Sequence, residues 1–205
     1  MTEKEILDDM NKSIEQFEKD LKVPNGFYAK LAKEDDWSFV IKISALLETA
    51  STDVLTTVLG YREIEEALTY LDYGNGKSGK IVLMEKLDIV HKNQATTLRK
   101  LLEIRNKVAH RLKDINFTFD EYIKPFDSKQ KESFVKNFGQ NADDLKLENL
   151  KFDKQAFILK HPKIAIWFTV REIIATMYLS KEKKEIQNEL RLHIDEEIKK
   201  RLTNG

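Results

Sequence analysis

Apolar residues recur at intervals of three and four along most of this 205-residue chain, and this spacing constrains its fold more than any other feature. Near the N-terminus, Ile6, Met10, Ile14, Phe17 and Leu21 share one face of a helix because they are separated by steps of four, four, three and four. The chain has only seven Gly and three Pro, too few turn residues for a protein of many short strands. The pattern therefore predicts an all-α protein, an up-and-down helical bundle of four to six helices.

Several further segments carry the same helical pattern. They span roughly residues 37–59, 62–71, 80–90, 94–113 and 162–202. The last of them contains a nearly continuous apolar run, Ile164–Leu179, which is interrupted by Arg171 and Glu172. Because a membrane span needs roughly 20 apolar residues, we predict a buried central helix here and no membrane association.

We expect a single domain over residues 1–205. It should consist of a core at 37–125 and 162–202, an N-terminal helix at 3–22 and an irregular insertion at 125–160. Two smaller features are predicted near the insertion. They are an extended piece at 115–119 and a helix near 129–138.

Composition limits the partners and the chemistry of the chain. Its 35 Lys and Arg balance 35 Asp and Glu, whereas a protein that coats nucleic acid non-specifically needs excess positive charge. The absence of Cys excludes disulfides, thiolate metal sites and thiol nucleophiles. Residues 1–5 are charged and lack the apolar core of a secretory signal, so we expect a cytoplasmic protein.

Positive charge is concentrated around one segment, Arg105–His110, in the predicted 94–113 helix. Residues 92–113 include seven basic residues and one acid, a local charge of +6. Cations in the last turn of a helix complement its dipole, but this effect does not account for the basic residues that lie further from the end. An Arg binds phosphate and a His transfers protons near neutral pH, so this pair suits RNA cleavage without a metal.

Four of the basic residues around the motif are expected to bind RNA. They are Arg99, Lys107, Arg111 and Lys113.

Helical spacing separates Arg105 from the rest of the motif. The apolar stripe of the helix passes through Leu101 and Val108, and the spacing requires a core position between them, which we assign to Arg105. Asn106 and His110 are four residues apart and share a polar face. The spacing thus predicts a charged side chain set into the core beside an accessible pair.

Glu48 shows the same anomaly in the predicted 37–59 helix. It lies on a line with Ile41 and Leu55, where an apolar residue is expected. Because a buried guanidinium needs a carboxylate partner, we predict that Glu48 pairs with Arg105 and supports the site. Such a pair can also be purely architectural, and the spacing leaves both interpretations open.

Other motifs in the sequence carry less weight. Gly74–Ser78 lacks the first Gly of a phosphate-binding loop, since Leu71 stands there, and a helix rather than a strand precedes it. The four His residues show no metal-ligand spacing, and the sequence has no Gly-x-Ser-x-Gly motif of a serine hydrolase. We therefore predict neither a metal nor a cofactor.

The motif Arg105-Asn106-x-x-Ala109-His110, late in an amphipathic helix, resembles the signature of the HEPN superfamily. These are small helical-bundle proteins with an Arg, a polar residue directly after it, and a His further along the helix. Within the superfamily the chain is most similar to the mannitol-operon-repressor-like branch. Three other segments carry this resemblance, which covers roughly residues 37–125: Leu46–Thr49, Gly79–Ile81 and Asp114–Phe117.

The resemblance implies a homodimer in which two motif helices approach across a two-fold axis and line one cleft. Many members are metal-independent endoribonucleases of toxin–antitoxin, antiphage or RNA-processing systems. By this resemblance, Arg105 would bind the scissile phosphate and His110 would act as general acid or base. Asn106 would orient one of the reacting groups.

The mannitol-operon-repressor-like branch also implies an alternative. Its members keep the Arg-Asn-x-x-Ala-His motif but are described as regulators that act through a partner protein. The sequence carries no helix-turn-helix signal or other element that reads DNA. Two functions therefore stay open: an endoribonuclease, or a non-catalytic dimer that regulates or binds a partner.

Overall fold

A computed structural model describes residues 18–19, 24, 26–109, 115–139 and 153–203 of the chain. In these ranges the regular elements are helices and there is no strand, so the all-α prediction is confirmed. Apart from residues 18 and 19, the predicted N-terminal helix at 3–22 lies outside the described residues.

Nine α-helices occur in the described ranges. They are α1 (Phe27–Lys33), α2 (Asp36–Leu59), α3 (Glu65–Tyr70), α4 (Lys80–Lys86), α5 (Lys92–Ala109), α6 (Phe119–Ile123), α7 (Ser128–Phe138), α8 (Lys154–Lys160) and α9 (Pro162–Thr203). A 3-10 turn, Arg62–Ile64, leads into α3. The four longest helices are α2, α5, α7 and α9, and five short ones accompany them.

Helical spacing located both ends of α2, α7 and α9, and the start of α5, to within two residues, whereas the predicted end of α5 at residue 113 lies outside the described residues. The main differences lie in the shorter elements. α4 ends before the predicted boundary at residue 90, and Asp88 follows it with φ 54°, a left-handed conformation that does not continue a helix. The extended piece predicted at 115–119 is wrong at both ends, because residues 115 and 116 are in a 3-10 turn and Phe119 begins α6. The Thr118 side chain caps α6 by accepting from Glu121 N at 3.2 Å.

The chain divides into two compact units. The first comprises Met1–Ala45 and Lys100–Val170, and the second comprises Leu46–Arg99 and Arg171–Gly205. Each of α2, α5 and α9 contributes residues to both units. Each unit has its own set of buried apolar side chains, with Ile43 and Ile166 in the first and Leu55 and Met84 in the second.

A chain of aromatic contacts runs through the first unit. Successive ring centroids are 4.8–6.3 Å apart, in the order Phe39, Phe119, Phe117, Tyr122, Phe126, Phe134 and Phe138. Most of these pairs are edge-to-face, the arrangement that the quadrupole of the ring favours. The contacts connect α2 with α6 and α7.

The second unit buries a lysine at the start of α4. Lys80 is 1% exposed, and its Nζ donates to Thr52 Oγ1 at 3.0 Å and to the Thr69 carbonyl at 3.4 Å. Glu48 Oε1 lies 3.6 Å from the same Nζ. Because burying an unpaired charge is costly, these contacts fix α4 against α2 and α3 within this unit.

Gly79 lies where the loop after α3 closes onto α4. A Cβ at this position would meet the backbone N and O of Asn75 at 2.6 and 2.8 Å and the backbone O of Asp72 at 2.9 Å. A Cβ at Gly76, in the same loop, would have nothing within 4 Å. The close approach therefore requires glycine at position 79 but not at position 76.

We predict that Gly79→Ala lowers the free energy of unfolding by about 1–3 kcal/mol, because backbone atoms must move to accept the methyl group. The matched variant Gly76→Ala should change it by less than about 0.5 kcal/mol. Urea denaturation followed by circular dichroism measures both. Equal midpoints for the two variants would contradict the packing described for this loop.

Candidate functional site

The buried face of α5 differs from the predicted one. Ile104 is 0% exposed and occupies the core position between Leu101 and Val108, both also buried. Arg105 is only half-buried. Its assignment to the core stripe is therefore wrong: steps of three then four, or four then three, both connect Leu101 to Val108, and the apolar Ile104 takes the buried position because its burial has no charge-desolvation cost.

Arg105 has a neutral partner. Its Nη1 donates to Asn106 Oδ1 at 3.0 Å, on the exposed side of α5. Among the described residues, no carboxylate forms an ion pair with this guanidinium. An arginine held by an amide keeps its full positive charge and most of its donors available, which is the state that binds an anion.

Lys107 lies in the last turn of the described part of α5 and contacts an aromatic ring. Its Nζ is 4.7 Å from the centroid of Tyr122, close enough for a cation–π interaction. Burial raises the pKa of the Tyr122 hydroxyl above its ordinary value, so the ring stays neutral at physiological pH. Lys107 is thereby held by a neutral ring, and among the described residues no carboxylate forms an ion pair with it.

Two other cations of the motif helix, Arg99 and Lys100, are paired with acids. The guanidinium of Arg99 lies 2.8 Å from Glu85, and Lys100 Nζ lies 2.8 Å from Glu103. The pKa of Glu85 is lowered chiefly by the hydrogen bond that Arg99 donates to it. Arg99, which we expected to bind RNA, thus has its charge compensated within the protein.

Three of the predicted site residues lie outside the described residues. They are His110, Arg111 and Lys113. The structure therefore joins Arg105 to Asn106 by a hydrogen bond and holds Lys107 separately over the ring of Tyr122, while the proton-transfer residue lies outside the described residues.

Glu48 does not take the partner that we predicted. Its carboxylate pairs with Lys80, whereas the guanidinium of Arg105 bonds Asn106. The Glu48 side chain is also 44% exposed, so it is not the core carboxylate that the periodicity suggested. Ser51, one turn after Glu48 in α2, is fully buried, and its hydroxyl donates to the Leu47 carbonyl at 2.7 Å. An uncharged hydroxyl is buried at lower cost than a carboxylate, and it bonds its own helix.

The motif end of α5 is attached to the start of α2 by one long-range hydrogen bond. Trp37 Nε1 donates to the Val108 carbonyl at 3.1 Å, across 71 residues of sequence. Val108 is in the last turn of the described part of α5. This bond fixes the position of the motif turn in the first unit.

Beside this bond lies an open groove of about 830 Å³. Its walls are two short segments, one at the start of α2 and one before α6: Asp35, Asp36, Trp37, Ser38, Ile115, Asn116, Phe117 and Thr118. Two carboxylates and two aromatic side chains give it a mixed surface. Phosphate is repelled by the carboxylates, so the groove itself is suited to uncharged or cationic groups.

The two carboxylates of the groove have structural partners. Asp36 accepts from the backbone N of Phe119 at 2.9 Å and lies 3.0 Å from Lys163 Nζ. Asp35 precedes α2 and accepts from Ser38 N at 2.9 Å. The hydrogen bond from the Ser38 hydroxyl, followed by that from Ser38 N, lowers the pKa of the Asp35 carboxyl below its ordinary value of 3.8. Both side chains thus anchor the start of α2.

No group of three or more His, Asp or Glu side chains among the described residues is arranged to hold a metal ion. Within the same ranges, no helix combines the length and the apolar content that crossing a membrane would require.

Comparison with known proteins does not extend these observations. No protein-family model, curated protein or solved structure matches the chain.

Two contacts of this site were not predicted from sequence. The Trp37–Val108 bond joins distant residues, and a Trp at the start of a helix gives no sign of which carbonyl it will reach. The ion pair of Lys80 with Glu48 was not predicted either, because these residues are also distant in sequence. Lys80 directly precedes the apolar run Ile81–Met84, and this position was a sign that its side chain could be buried.

We predict that Trp37→Phe lowers the free energy of unfolding by about 1–2 kcal/mol, since the ring is largely kept but the bond to the Val108 carbonyl is lost. Urea denaturation monitored by circular dichroism measures the change. A control, Tyr70→Phe, alters a residue that is 83% exposed and should have no measurable effect. An unchanged midpoint for Trp37→Phe would show that the hydrogen bond does not stabilise the fold.

We predict that Asp35→Ala lowers the free energy of unfolding by about 1 kcal/mol at pH 7, through loss of the helix cap. The folded state lowers the pKa of this carboxyl, so its stabilisation is complete above about pH 3.8, the ordinary value, and is lost as the pH falls through the folded pKa. The difference between wild type and variant should therefore shrink in strong acid. Denaturation at pH 7 and pH 3 measures it, and a difference that is the same at both would contradict the cap.

Proposed function

We propose that this protein is a metal-independent endoribonuclease whose site comprises Arg105, Asn106 and His110. The observation that carries the proposal is the state of Arg105. Its guanidinium is half-exposed and donates to a neutral amide at 3.0 Å, and among the described residues it forms no ion pair. A positioned guanidinium with its charge uncompensated is suited to bind the phosphate of an RNA backbone, with two parallel hydrogen bonds to the oxygens.

Asn106 and Lys107 support this assignment. The Asn106 side chain accepts from Arg105 and so restricts the orientations of the guanidinium. Lys107 contributes a second cation on the same turns, held over the ring of Tyr122. Cations with neutral partners raise the local positive potential, which attracts a polyanion, and that attraction is weakened by salt.

The chemistry follows from the residue types. His110 would remove the proton of a ribose 2′-hydroxyl, or donate one to the leaving 5′-oxygen, since imidazole exchanges protons near neutral pH. Attack of the 2′-oxygen on phosphorus breaks the bond to the 5′-oxygen and leaves a 2′,3′-cyclic phosphate and a 5′-hydroxyl. Arg105 would stabilise the negative charge that develops on the phosphoryl oxygens. In the proposed homodimer, two α5 helices meet and both copies of the motif line one cleft.

We predict that the purified protein cleaves labelled single-stranded RNA or tRNA in EDTA, and that the products carry 2′,3′-cyclic phosphate. His110→Ala should lower the rate by about 10²–10⁴-fold, the usual contribution of a general acid or base. Arg105→Ala should lower it by about 10²–10³-fold, as for loss of a charge-stabilising donor. Product analysis on denaturing gels measures both the rate and the end group.

Arg99→Ala is the matched control for Arg105→Ala. It removes the same side chain from the same helix, but from a guanidinium whose charge Glu85 already compensates. Its cleavage rate should stay within a few-fold of wild type. Cleavage that persists unchanged in both His110→Ala and Arg105→Ala would show that the site is wrongly assigned, and equal losses in Arg99→Ala and Arg105→Ala would show that only overall charge matters.

If the folded protein cuts no RNA under any condition, the endoribonuclease proposal fails and the non-catalytic regulator is favoured. Thermal melts separate the two roles of the motif. A stable but inactive His110→Ala indicates catalysis, whereas destabilisation by Arg105→Ala alone indicates an architectural motif.

A further inference from the structure

The open groove at the start of α2 combines aromatic side chains with a carboxylate whose charge is not compensated. Asp36 is paired with Lys163, but among the described residues no Lys or Arg forms an ion pair with Asp35. Trp37 and Phe117, one on each wall, are only half-buried. The volume of about 830 Å³ lies within the range of roughly 300–1,000 Å³ that small-ligand sites usually have. The groove therefore has the size and the chemistry of a site for a planar group that donates hydrogen bonds.

The Asp35 carboxylate can accept further hydrogen bonds. Ser38 donates its backbone N to Oδ1 at 2.9 Å and its hydroxyl to Oδ2 at 2.5 Å. Each oxygen of a carboxylate can accept two hydrogen bonds, and the Asp35 side chain is exposed. A ligand with two parallel N–H donors matches this arrangement, because paired donors bind both oxygens of a carboxylate at once.

Guanine is the RNA base that presents such a pair of donors, at N1 and N2 of its pairing edge. Uracil has one donor between two carbonyl oxygens, which a carboxylate repels, and adenine and cytosine each have one amino group beside a ring-nitrogen acceptor. Proteins read single-stranded RNA by hydrogen bonds to this edge and by stacking of the base on aromatic side chains. A carboxylate between Trp37 and Phe117 therefore suits guanine better than the other three bases.

An arginine of a protein partner presents the same pair of donors, and the neighbouring charges favour RNA over such a partner. Trp37 bonds the Val108 carbonyl, and Arg105 lies three residues before Val108 on α5, a separation at which Cβ atoms are about 5–6 Å apart. Lys107 adds a second cation to these turns, and all four residues belong to the first unit. A cationic side chain in the groove would be repelled by these cations, whereas RNA offers them its phosphates and offers the groove a neutral base.

We propose that this groove binds one guanine base of a single-stranded RNA, with Asp35 accepting from N1 and N2 and the base lying against Trp37 and Phe117. The inference rests on the proposed function, because the RNA chain that supplies the base also supplies the phosphate bound at Arg105. It gives the protein a base preference that the motif does not provide, since the proposed contacts of Arg105 and His110 are with phosphate and ribose.

Binding of three short RNAs tests the proposal without any cleavage. The probes are fluorescein-labelled pentanucleotides with a 2′-O-methyl group on every ribose, which blocks attack by the 2′-oxygen. They differ only at the central base, which is guanine, hypoxanthine or uracil and is flanked by uracil on both sides. Hypoxanthine is guanine without the 2-amino group, so it lacks one of the two proposed donors. Fluorescence anisotropy gives the three dissociation constants.

The protein should bind the guanine probe about tenfold more tightly than the uracil probe, as expected for one paired hydrogen bond to a base, with the hypoxanthine probe in between. Asp35→Asn keeps the helix cap, because Asn caps as well as Asp, but it replaces one acceptor by a donor. This variant should bind the three probes with affinities within about twofold of each other. Asp120→Asn is the matched control, since it removes the same charge from an exposed residue of the first unit that does not line the groove, and it should keep the preference.

Arg105→Ala separates this proposal from the endoribonuclease proposal. Loss of a phosphate contact should weaken the binding of all three probes alike and leave the guanine preference unchanged. Equal affinities of the wild type for the three probes, with a general loss in Arg105→Ala, would overturn the base site and leave the endoribonuclease proposal intact. A guanine preference with affinities that Arg105→Ala does not change would do the reverse.

Three further outcomes would overturn the base site. A guanine preference that persists in Asp35→Asn would show that another group reads the base. Failure of the wild type to bind any of the probes would show that the groove takes no base. A labelled Gly-Gly-Arg-Gly-Gly peptide that binds more tightly than the guanine probe, and no longer binds Asp35→Asn, would show that the groove takes an arginine of a protein partner. Circular dichroism verifies that every variant is folded.

Discussion

The hydrogen bond from Trp37 Nε1 to the Val108 carbonyl is the contact on which the candidate site depends. This indole donor at the start of α2 attaches the motif turn of α5 to a separate helix. Arg105 and Asn106 lie on the turn just before this attachment, so their positions are set by a contact that neither of them makes.

The start of α2 is itself held by several independent groups. Asp35 caps the helix through Ser38, and Asp36 binds both the backbone of α6 and Lys163. The aromatic contacts that begin at Phe39 extend the same attachment into α6 and α7. A rigid element next to a candidate site keeps a charged side chain in one orientation, which is what phosphate recognition by a guanidinium requires.

Periodicity predicted the elements of this fold much better than it predicted the contacts between them. The helices α2, α5 and α9 follow from local spacing, since an apolar face of this length specifies a helix whatever it packs against. Arg105 shows where that reasoning fails: two registers of three and four residues both fit the stripe, and the choice depends on the free energy of burying Ile104 or a guanidinium. Glu48 shows a second limit, because a pattern can identify an unusual carboxylate but cannot identify Lys80 as its cation.

The charged residues of α5 can be understood by the same comparison of partners. Arg99 and Lys100 face a carboxylate and are compensated within the protein, whereas Arg105 and Lys107 have neutral partners among the described residues. The sequence determines how many charges this helix carries, but the identity of each nearest partner decides whether a charge is compensated within the fold or stays available to an external anion.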